Sequence, residues 1–243
     1  MKRLIFYISI LLFAAARFGC TQESALSDVV IDDPSLIRPE ISLIKTKTAG
    51  TSTETVAAWI YDKNNNSVEL KNGGVLVNGR EMVIKKIADA PYYSGIEVLS
   101  GITAGTKYNF LININSRKSY TASITAQGKD LTTLDVPLRH NKTENMDITW
   151  KEIDPGRPLT LQVTIFYNNN GTSGADDLSY TVPSVSLAAG KYTLPASLFQ
   201  SRTNVSKVMI SLKSVLKGTI FDGFAAGSKI ESIISITKEC AIY

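Results

Sequence analysis

The chain has 243 residues, and its 26 Lys and Arg residues face 22 Asp and Glu residues and a single histidine. Three of the basic residues lie in residues 1–19, which hold no acid, so the rest of the chain is close to neutral. No Lys and Arg cluster interleaves with aromatic residues, which argues against nucleic acid as a partner. Two cysteines, Cys20 and Cys240, are too few for a disulfide framework, so the fold must depend on a hydrophobic core.

The beginning of the chain has the layout of a secretory signal peptide. Lys2 and Arg3 form a basic n-region, and residues 4–16 form an apolar h-region that ends in small residues. A bilayer-spanning helix needs about 20 apolar residues, so this run is too short to cross a membrane. We therefore predict that residues 1–19 are a signal peptide.

Gly19 directly precedes Cys20, and after the apolar run this pair resembles the lipobox of bacterial lipoproteins of the Bacteroidetes type. The resemblance implies an acylated Cys20 that anchors the protein in the outer membrane, facing the periplasm or the cell surface. Several acyl chains hold a protein firmly, because each buried methylene contributes about 0.8 kcal/mol. The alternative is cleavage after residues 14–16 by the ordinary signal peptidase, which would release a soluble periplasmic or secreted protein.

Strand-like segments follow a polar and acidic stretch, residues 20–36, which we predict to be a lipidated tether. In the first half, segments rich in strand formers are separated by turn signals such as Asn-Gly pairs; they cover residues 56–61, 74–78, 81–85, 108–114 and 120–125. In the second half, apolar and polar residues alternate over residues 159–166 and 208–213. A period of two is typical of a strand with one buried face.

These short strands, with no sustained helical pattern, predict an all-β chain rather than an α/β enzyme fold. We expect one helical turn at residues 195–199. The polar segment at residues 137–144 begins with proline and is predicted to be a linker. We therefore predict two antiparallel β-sandwich domains in tandem, over residues 37–138 and 139–243.

One motif carries more specific fold information. Ile102, Gly105, Thr106, Tyr108 and Phe110 resemble the tyrosine corner of fibronectin type III and other immunoglobulin-like domains. The resemblance implies a buried ring whose hydroxyl bonds to nearby backbone, and a tight turn that needs glycine. It indicates immunoglobulin-like sandwiches and is silent on the ligand. A shorter version of the motif, over residues 187–194, predicts a second corner.

The sequence contains few of the His and Cys residues that form zinc sites or act in catalysis. His140 is the only histidine, and we expect it to be an exposed linker residue rather than a catalytic base. We predict no metal site and no cofactor, since zinc needs several His or Cys ligands. The oxygen-rich segments that begin at Asp62 and at Asp176 are interpreted as polar turns rather than calcium loops, which would require Glu at the twelfth position.

Aromatic side chains are the remaining candidates for a binding site. We expect Trp59 and Trp150 to be core residues, as a buried Trp is in immunoglobulin-like folds. Four tyrosines near predicted loops are candidate contacts for a sugar ring: Tyr92, Tyr93, Tyr167 and Tyr180. The adjacent Tyr92 and Tyr93 are expected to lie on opposite faces of one strand.

The sequence therefore predicts a non-enzymatic lipoprotein of the cell envelope that acts as a structural or protein-interaction module. One alternative is a surface lipoprotein that binds carbohydrate through exposed aromatic residues. Another is a glycoside hydrolase that uses two carboxylates, which would need two acids across a cleft. The expected partners are a membrane, through the lipid on Cys20, and a glycan or another envelope protein.

Overall fold

The computed structural model of the protein describes residues 31–48, 50–128, 133–151, 158–169, 171–200 and 202–243. The signal peptide, Cys20 and the first part of the predicted tether lie outside these residues. Strands dominate the described chain, which confirms the all-β prediction. The predicted helical turn at residues 195–199 is also confirmed, as a helix over Ala196–Gln200.

The first half contains a 3₁₀ helix, Pro34–Leu36, and eight described strands: β1 (Ile37–Thr48), β2 (Thr51–Asp62), β3 (Gly74–Val77), β4 (Arg80–Glu81), β5 (Val83–Ile87), β6 (Ala90–Ser94), β7 (Lys107–Asn115) and β8 (Lys118–Thr125). The second half contains nine further described strands and two helices: β9 (Thr133–Asp135), β10 (Arg139–His140), β11 (Met146–Lys151), β12 (Leu159–Asn169), β13 (Thr172–Thr181), α1 (Ser184–Ala189), β14 (Lys191–Leu194), α2 (Ala196–Gln200), β15 (Val205–Lys217), β16 (Thr219–Ile220) and β17 (Lys229–Ile242).

One large sheet runs through both halves of the chain. Within the described residues its strand order is β13-β12-β15-β17-β1-β2-β6-β5, and β10 also pairs with β17. The two halves meet where β1 pairs with β17 in parallel, over nine residue pairs from Glu40–Lys229 to Thr48–Thr237. The other neighbours along this order pair antiparallel. The sheet is therefore continuous across the predicted domain boundary.

Two smaller sheets cover the ends of the large sheet and enclose two separate cores. The sheet β16-β8-β7-β3-β4 covers the end formed by β1, β2 and β6, and the sheet β14-β11-β9 covers the end formed by β12, β15 and β17. Alternate apolar side chains of the strands fill both cores. Ile37, Ile41 and Leu43 point inward from β1, and Val208, Ile210 and Leu212 point inward from β15. The layers are sandwich-like, as the sequence predicts.

The hairpin between β15 and β17 belongs to the second half of the sequence but packs on the first. Its strand β16 adds to β8 through Thr219–Ser123 and Ile220–Ala122. The Ala225 N–H donates to the Ile37 carbonyl at 2.9 Å. Phe224 and Ile230 are buried in the first core. The hairpin thus gives the two halves a second contact besides the β1–β17 pairing.

Residues near the predicted linker are part of the second sandwich. Leu134 and Val136 are buried in the second core, and β9 pairs with β11. The division of the chain at residue 138 stays a prediction, and these contacts favour a junction before β9. Residues 137–144 include β10, which pairs with the end of β17. This segment is therefore attached to the large sheet and does not form a separate linker.

The end of the predicted tether is also packed against the first sandwich. Ile31 is buried in the first core. The Asp33 carboxylate caps the 3₁₀ helix by accepting from the Ser35 N–H at 2.8 Å. Asp32 accepts a hydrogen bond from the Asn115 amide at 2.9 Å. Residues 31–36 therefore extend the folded domain, because their side chains find partners on it.

A buried glutamine joins the two cores. Gln127, Ser214 and Ser232 are each at most 3% exposed. The Gln127 side-chain amide donates to the carbonyls of Ser232 (2.7 Å) and Ser214 (3.1 Å), and its Oε1 accepts from the Ser214 hydroxyl (2.9 Å). Ser214 lies on β15 and Ser232 on β17, so a residue that follows β8 bonds to strands of the other half. Buried polar groups require such partners, which makes this contact specific.

The tyrosine corner forms as predicted. Tyr108 is 3% exposed, and its hydroxyl accepts from the Thr103 N–H (2.8 Å) and donates to the Gly101 carbonyl (3.2 Å). Gly105 has φ +73°, a conformation that favours glycine. The second corner predicted over residues 187–194 is wrong. That segment is the end of α1, a left-handed cap at Gly190, and β14.

We expect Gln127→Leu to lower the free energy of unfolding by about 2–3 kcal/mol, because the substitution removes three buried hydrogen bonds, two to the carbonyls of Ser214 and Ser232 and one from the Ser214 hydroxyl. Urea unfolding of the full chain measures the change. Gln200→Leu is the matched control, since Gln200 is exposed. Equal effects of the two substitutions would contradict the role of Gln127 at the junction.

Removing the corner hydroxyl by Tyr108→Phe is expected to cost about 1–2 kcal/mol of stability, because the Thr103 N–H and the Gly101 carbonyl lose their partner. Thermal unfolding followed by circular dichroism gives the comparison. Tyr120→Phe serves as the control, since no hydrogen bond is formed by the half-buried Tyr120 hydroxyl within the described residues. A Tyr108→Phe protein as stable as this control would argue against the corner.

Candidate functional site

The two tryptophans lie in different environments. Trp150 is 5% exposed in the second core, as predicted. The prediction that Trp59 is a core residue is wrong: Trp59 is half-buried on the outer face of the large sheet. Its neighbours Ala58 and Ile60 point into the first core instead. Because successive strand residues point to opposite faces, the inward direction of Ala58 and Ile60 places Trp59 and Tyr61 on the outer face.

Three aromatic rings and a guanidinium form a row on that outer face, which we call the aromatic row: Arg38, Tyr61, Trp59 and Tyr92. The Trp59 ring is 4.9 Å from the Tyr92 ring at 20°, and 6.3 Å from the Tyr61 ring at 9°. The Arg38 guanidinium lies 4.9 Å from the centre of the Tyr61 ring. Such offset stacking and cation–π contacts stabilise the row and hold its side chains in fixed positions.

Charged groups lie at the end of the aromatic row that Arg38 forms. Arg38 pairs with Glu40 at 3.1 Å, and Lys229 lies 3.6 Å from the same carboxylate. Burial raises the pKa of the Tyr61 hydroxyl, and the Glu40 carboxylate acts in the same direction. The row is thus an amphipathic surface whose charges are largely compensated within the protein.

Beyond Tyr92, the edge strand β5 continues the surface. Lys85 pairs with Glu97, which also accepts from the Ser94 hydroxyl at 2.6 Å. These two hydrogen bonds, the one from Lys85 first, lower the pKa of the Glu97 carboxyl. Val83 and Ile87 on β5 are exposed by 43% and 46%. The outer face therefore ends in an exposed apolar and basic edge.

Of the four candidate tyrosines, only Tyr92 belongs to this row. Tyr93 is 1% exposed, and its hydroxyl accepts from the Leu70 N–H at 2.8 Å inside the first core. The prediction that Tyr93 contacts a ligand is therefore wrong. Burial raises the pKa of Tyr93 to about 12. It is a core residue whose polar end is satisfied by backbone.

Tyr167 and Tyr180 lie on β12 and β13, at the opposite end of the large sheet from Tyr92. Both are half-buried against the second core. The Tyr167 hydroxyl is 3.4 Å from Asp176, and the Tyr180 ring is 6.3 Å from the Tyr192 ring. Burial raises the pKa of Tyr180. The candidate tyrosines thus do not form one site.

A second surface feature was not predicted. An open groove of about 720 Å³ lies beside β7, β8 and β16. Its lining residues come from both halves of the chain: Lys107, Asn109, Phe110, Thr121, Ala122, Ser123, Thr219, Ile220, Phe221 and Asp222. The groove needs the hairpin between β15 and β17 to dock on β8. No local sequence pattern indicates this contact.

The remaining candidate residues serve local structure. Asp62 closes a turn, because its carboxylate accepts from the Asn64 and Asn66 N–H groups at 2.8 and 2.9 Å. His140 is half-buried on β10, in edge contact with Phe199 at 5.4 Å, so the prediction of an exposed linker residue is wrong. Cys240 is a buried free thiol. No cluster of three or more His, Cys, Asp or Glu suited to a metal occurs among the described residues.

Comparison of the sequence with known protein families and with curated proteins finds no match. In the described part of the chain, no helix has the length and apolar character needed to cross a membrane. The functional assignment therefore depends on the geometry of the aromatic row, the groove and the sheet that joins the two halves.

The buried Tyr93 predicts a loss of stability at high pH. Its pKa is 10 in the unfolded chain and about 12 in the folded protein. The associated stabilisation is complete below pH 10 and disappears as the pH rises from 10 to 12, by about 3 kcal/mol at most. Urea unfolding between pH 8 and 11 should therefore show a steeper fall for the wild type than for Tyr93→Phe. If the free energy of unfolding fell equally with pH in both proteins, the raised pKa of the buried Tyr93 hydroxyl would be refuted.

Proposed function

We propose that this protein is a non-enzymatic lipoprotein of the cell envelope, in which two immunoglobulin-like sandwiches act as one rigid structural or protein-interaction module. The observation that carries the proposal is the continuous sheet, which fixes the orientation of the two halves and displays the aromatic row on its outer face. Rigid display of a preformed surface lowers the entropy lost on binding.

Strand order supports the immunoglobulin-like part of the proposal. If the strands of the first half are lettered A, B, C, C′, D, E, F and G from β1 to β8, the large sheet contains A-B-E-D and its cover contains G-F-C-C′. The constant-type immunoglobulin sandwich has the strands A, B, E and D on one sheet and C, F and G on the other. The tyrosine corner at Tyr108 lies at the start of strand F, its usual place in these folds.

The second half follows the same scheme with fewer strands. Its strands can be lettered A (β9), B (β11), C (β12), C′ (β13), E (β14), F (β15) and G (β17). The small sheet then contains E-B-A, and the large sheet contains C′-C-F-G. In these letters, strand G of the second sandwich pairs with strand A of the first. This arrangement supports a tandem in which the junction itself is part of a sheet.

The aromatic row supports a role in binding. Trp, Tyr and Arg are the residues most enriched in the energetically important parts of protein interfaces. The row supplies all three types, already stacked, beside the exposed apolar side chains of β5. A protein partner that covers this face would bury aromatic surface without first ordering it.

A second candidate function is carbohydrate binding by the same row. Trp59 on the outer face favours it, since sugars pack their apolar faces on exposed aromatic rings. The rings of the row already stack on one another, which leaves less free ring surface for a sugar. We therefore rank this function second.

Site-specific cross-linking of the full chain in intact cells of a Bacteroidetes host tests the first proposal. A photoreactive phenylalanine analogue at Tyr92 is expected to give an adduct with one envelope protein, identified by mass spectrometry. The same analogue at Thr149, an exposed position on β11, is the control. Adducts of equal yield at both positions, or none at Tyr92, would contradict a protein partner at the row.

Labelling the same cells with radioactive palmitate tests the lipid anchor separately. Incorporation is expected in the wild type and absent in Cys20→Ser. An unlabelled wild-type protein recovered from the periplasm would instead favour cleavage after residues 14–16, while leaving the binding role open.

A further inference from the structure

The groove beside β8 is a composite of the two halves of the chain. Lys107, Asn109 and Thr121 line it from β7 and β8, while Phe221 and Asp222 reach it from the hairpin of the second half. The Phe221 N–H donates to the Thr121 carbonyl at 3.2 Å, which fixes the hairpin against β8. The site is thus formed only when the two halves are docked.

An exposed aromatic ring forms one wall of this groove. Phe221 is 37% exposed, although its ring is held at 4.7 Å from Tyr120 and at 5.5 Å from Phe224. A side chain at Gly223 would collide with the Phe221 ring, because an added Cβ would lie within 2.6 Å of two ring atoms. The ring therefore packs against Tyr120, Phe224 and the backbone of Gly223 while part of its surface stays open to solvent.

The polar side chains of the groove are available to a ligand. Those of Asn109, Thr121 and Thr219 are exposed and form no hydrogen bond with other described residues. Lys107 and Asp222 form no ion pair in the described part of the chain, and their charges cancel. The lining therefore combines amide and hydroxyl groups with no net charge.

These features select a class of ligand. A sugar ring offers an apolar C–H face that packs on an aromatic ring, and hydroxyls that exchange hydrogen bonds with amide and hydroxyl side chains. Pockets of about 300–1,000 Å³ accommodate small molecules, and the groove falls in this range. Because the groove is open, a ligand larger than a single sugar can extend beyond it.

We propose that this groove binds a segment of a neutral polysaccharide, with Phe221 as the stacking platform and Asn109, Thr121 and Thr219 as hydrogen-bonding groups. The proposal concerns a different surface from the aromatic row and does not depend on a protein partner there. Binding at a site formed by both halves also stabilises their docking, because the ligand binds only the docked form.

Calorimetric titration of the detergent-solubilised full chain tests the proposal. The ligands are soluble neutral polysaccharides (a mannan, a xylan, a mixed-linkage β-glucan, an α-glucan and a levan), with polygalacturonate as a charged comparison. Saturable binding of at least one neutral polymer is expected. Thr121→Arg, which places a long side chain in the groove, is expected to weaken it by at least about tenfold, since several contacts are lost.

Two further variants separate the outcomes. Thr149→Arg makes the same substitution at an exposed strand position away from the groove, and Trp59→Ala alters the aromatic row. The Thr149→Arg protein should bind as the wild type does, the Trp59→Ala protein reports whether the row contributes to binding, and thermal unfolding confirms that each variant is folded. No binding of any neutral polymer by the folded protein would overturn the proposal. So would binding that Thr121→Arg leaves unchanged, and a loss confined to Trp59→Ala would move the site to the row.

Discussion

The parallel pairing of β1 with β17 is the contact on which the rest of the architecture depends. It joins the first strand of one sandwich to the last strand of the other over nine residue pairs, so that two sheets become one. Hydrogen bonds along a sheet have a fixed direction and spacing, unlike the side-chain contacts of an ordinary domain interface. The relative orientation of the two cores is therefore set by backbone geometry, and the hairpin on β8 and the buried Gln127 reinforce it.

This junction also determines which surfaces the protein presents. On the large sheet, the same outer face runs from the edge strand β13 to the edge strand β5, and it carries the aromatic row near the β5 end. On the opposite side, docking of the hairpin creates the groove and holds Phe221 partly exposed. The protein thus presents two preformed surfaces, the aromatic row on the large sheet and the groove beside the sheet that covers it.

Several parts of the fold could be predicted because their signal is local. The alternation of Leu161, Val163 and Ile165 gave a strand with the correct inner face, and these residues are buried in the second core. The tyrosine corner was recognisable because Gly105 and Tyr108 act over a few residues. The candidate site was predicted less well. In β2 both faces are apolar or aromatic, so the sequence could not decide whether Trp59 or Ile60 points inward, and a shift of one residue reverses every side chain.

By itself, the sequence determined that the chain is all-β, where most strands lie and where one corner forms, because strand periodicity and turn residues act over short distances. Only the tertiary structure decided how the two halves are joined. The β1–β17 pairing links Glu40 to Lys229, and the groove combines Thr121 with Phe221, across long separations in the chain. No local pattern encodes which edge strands meet, because each strand offers the same backbone groups to every neighbour and the packing of the whole sheet selects among them.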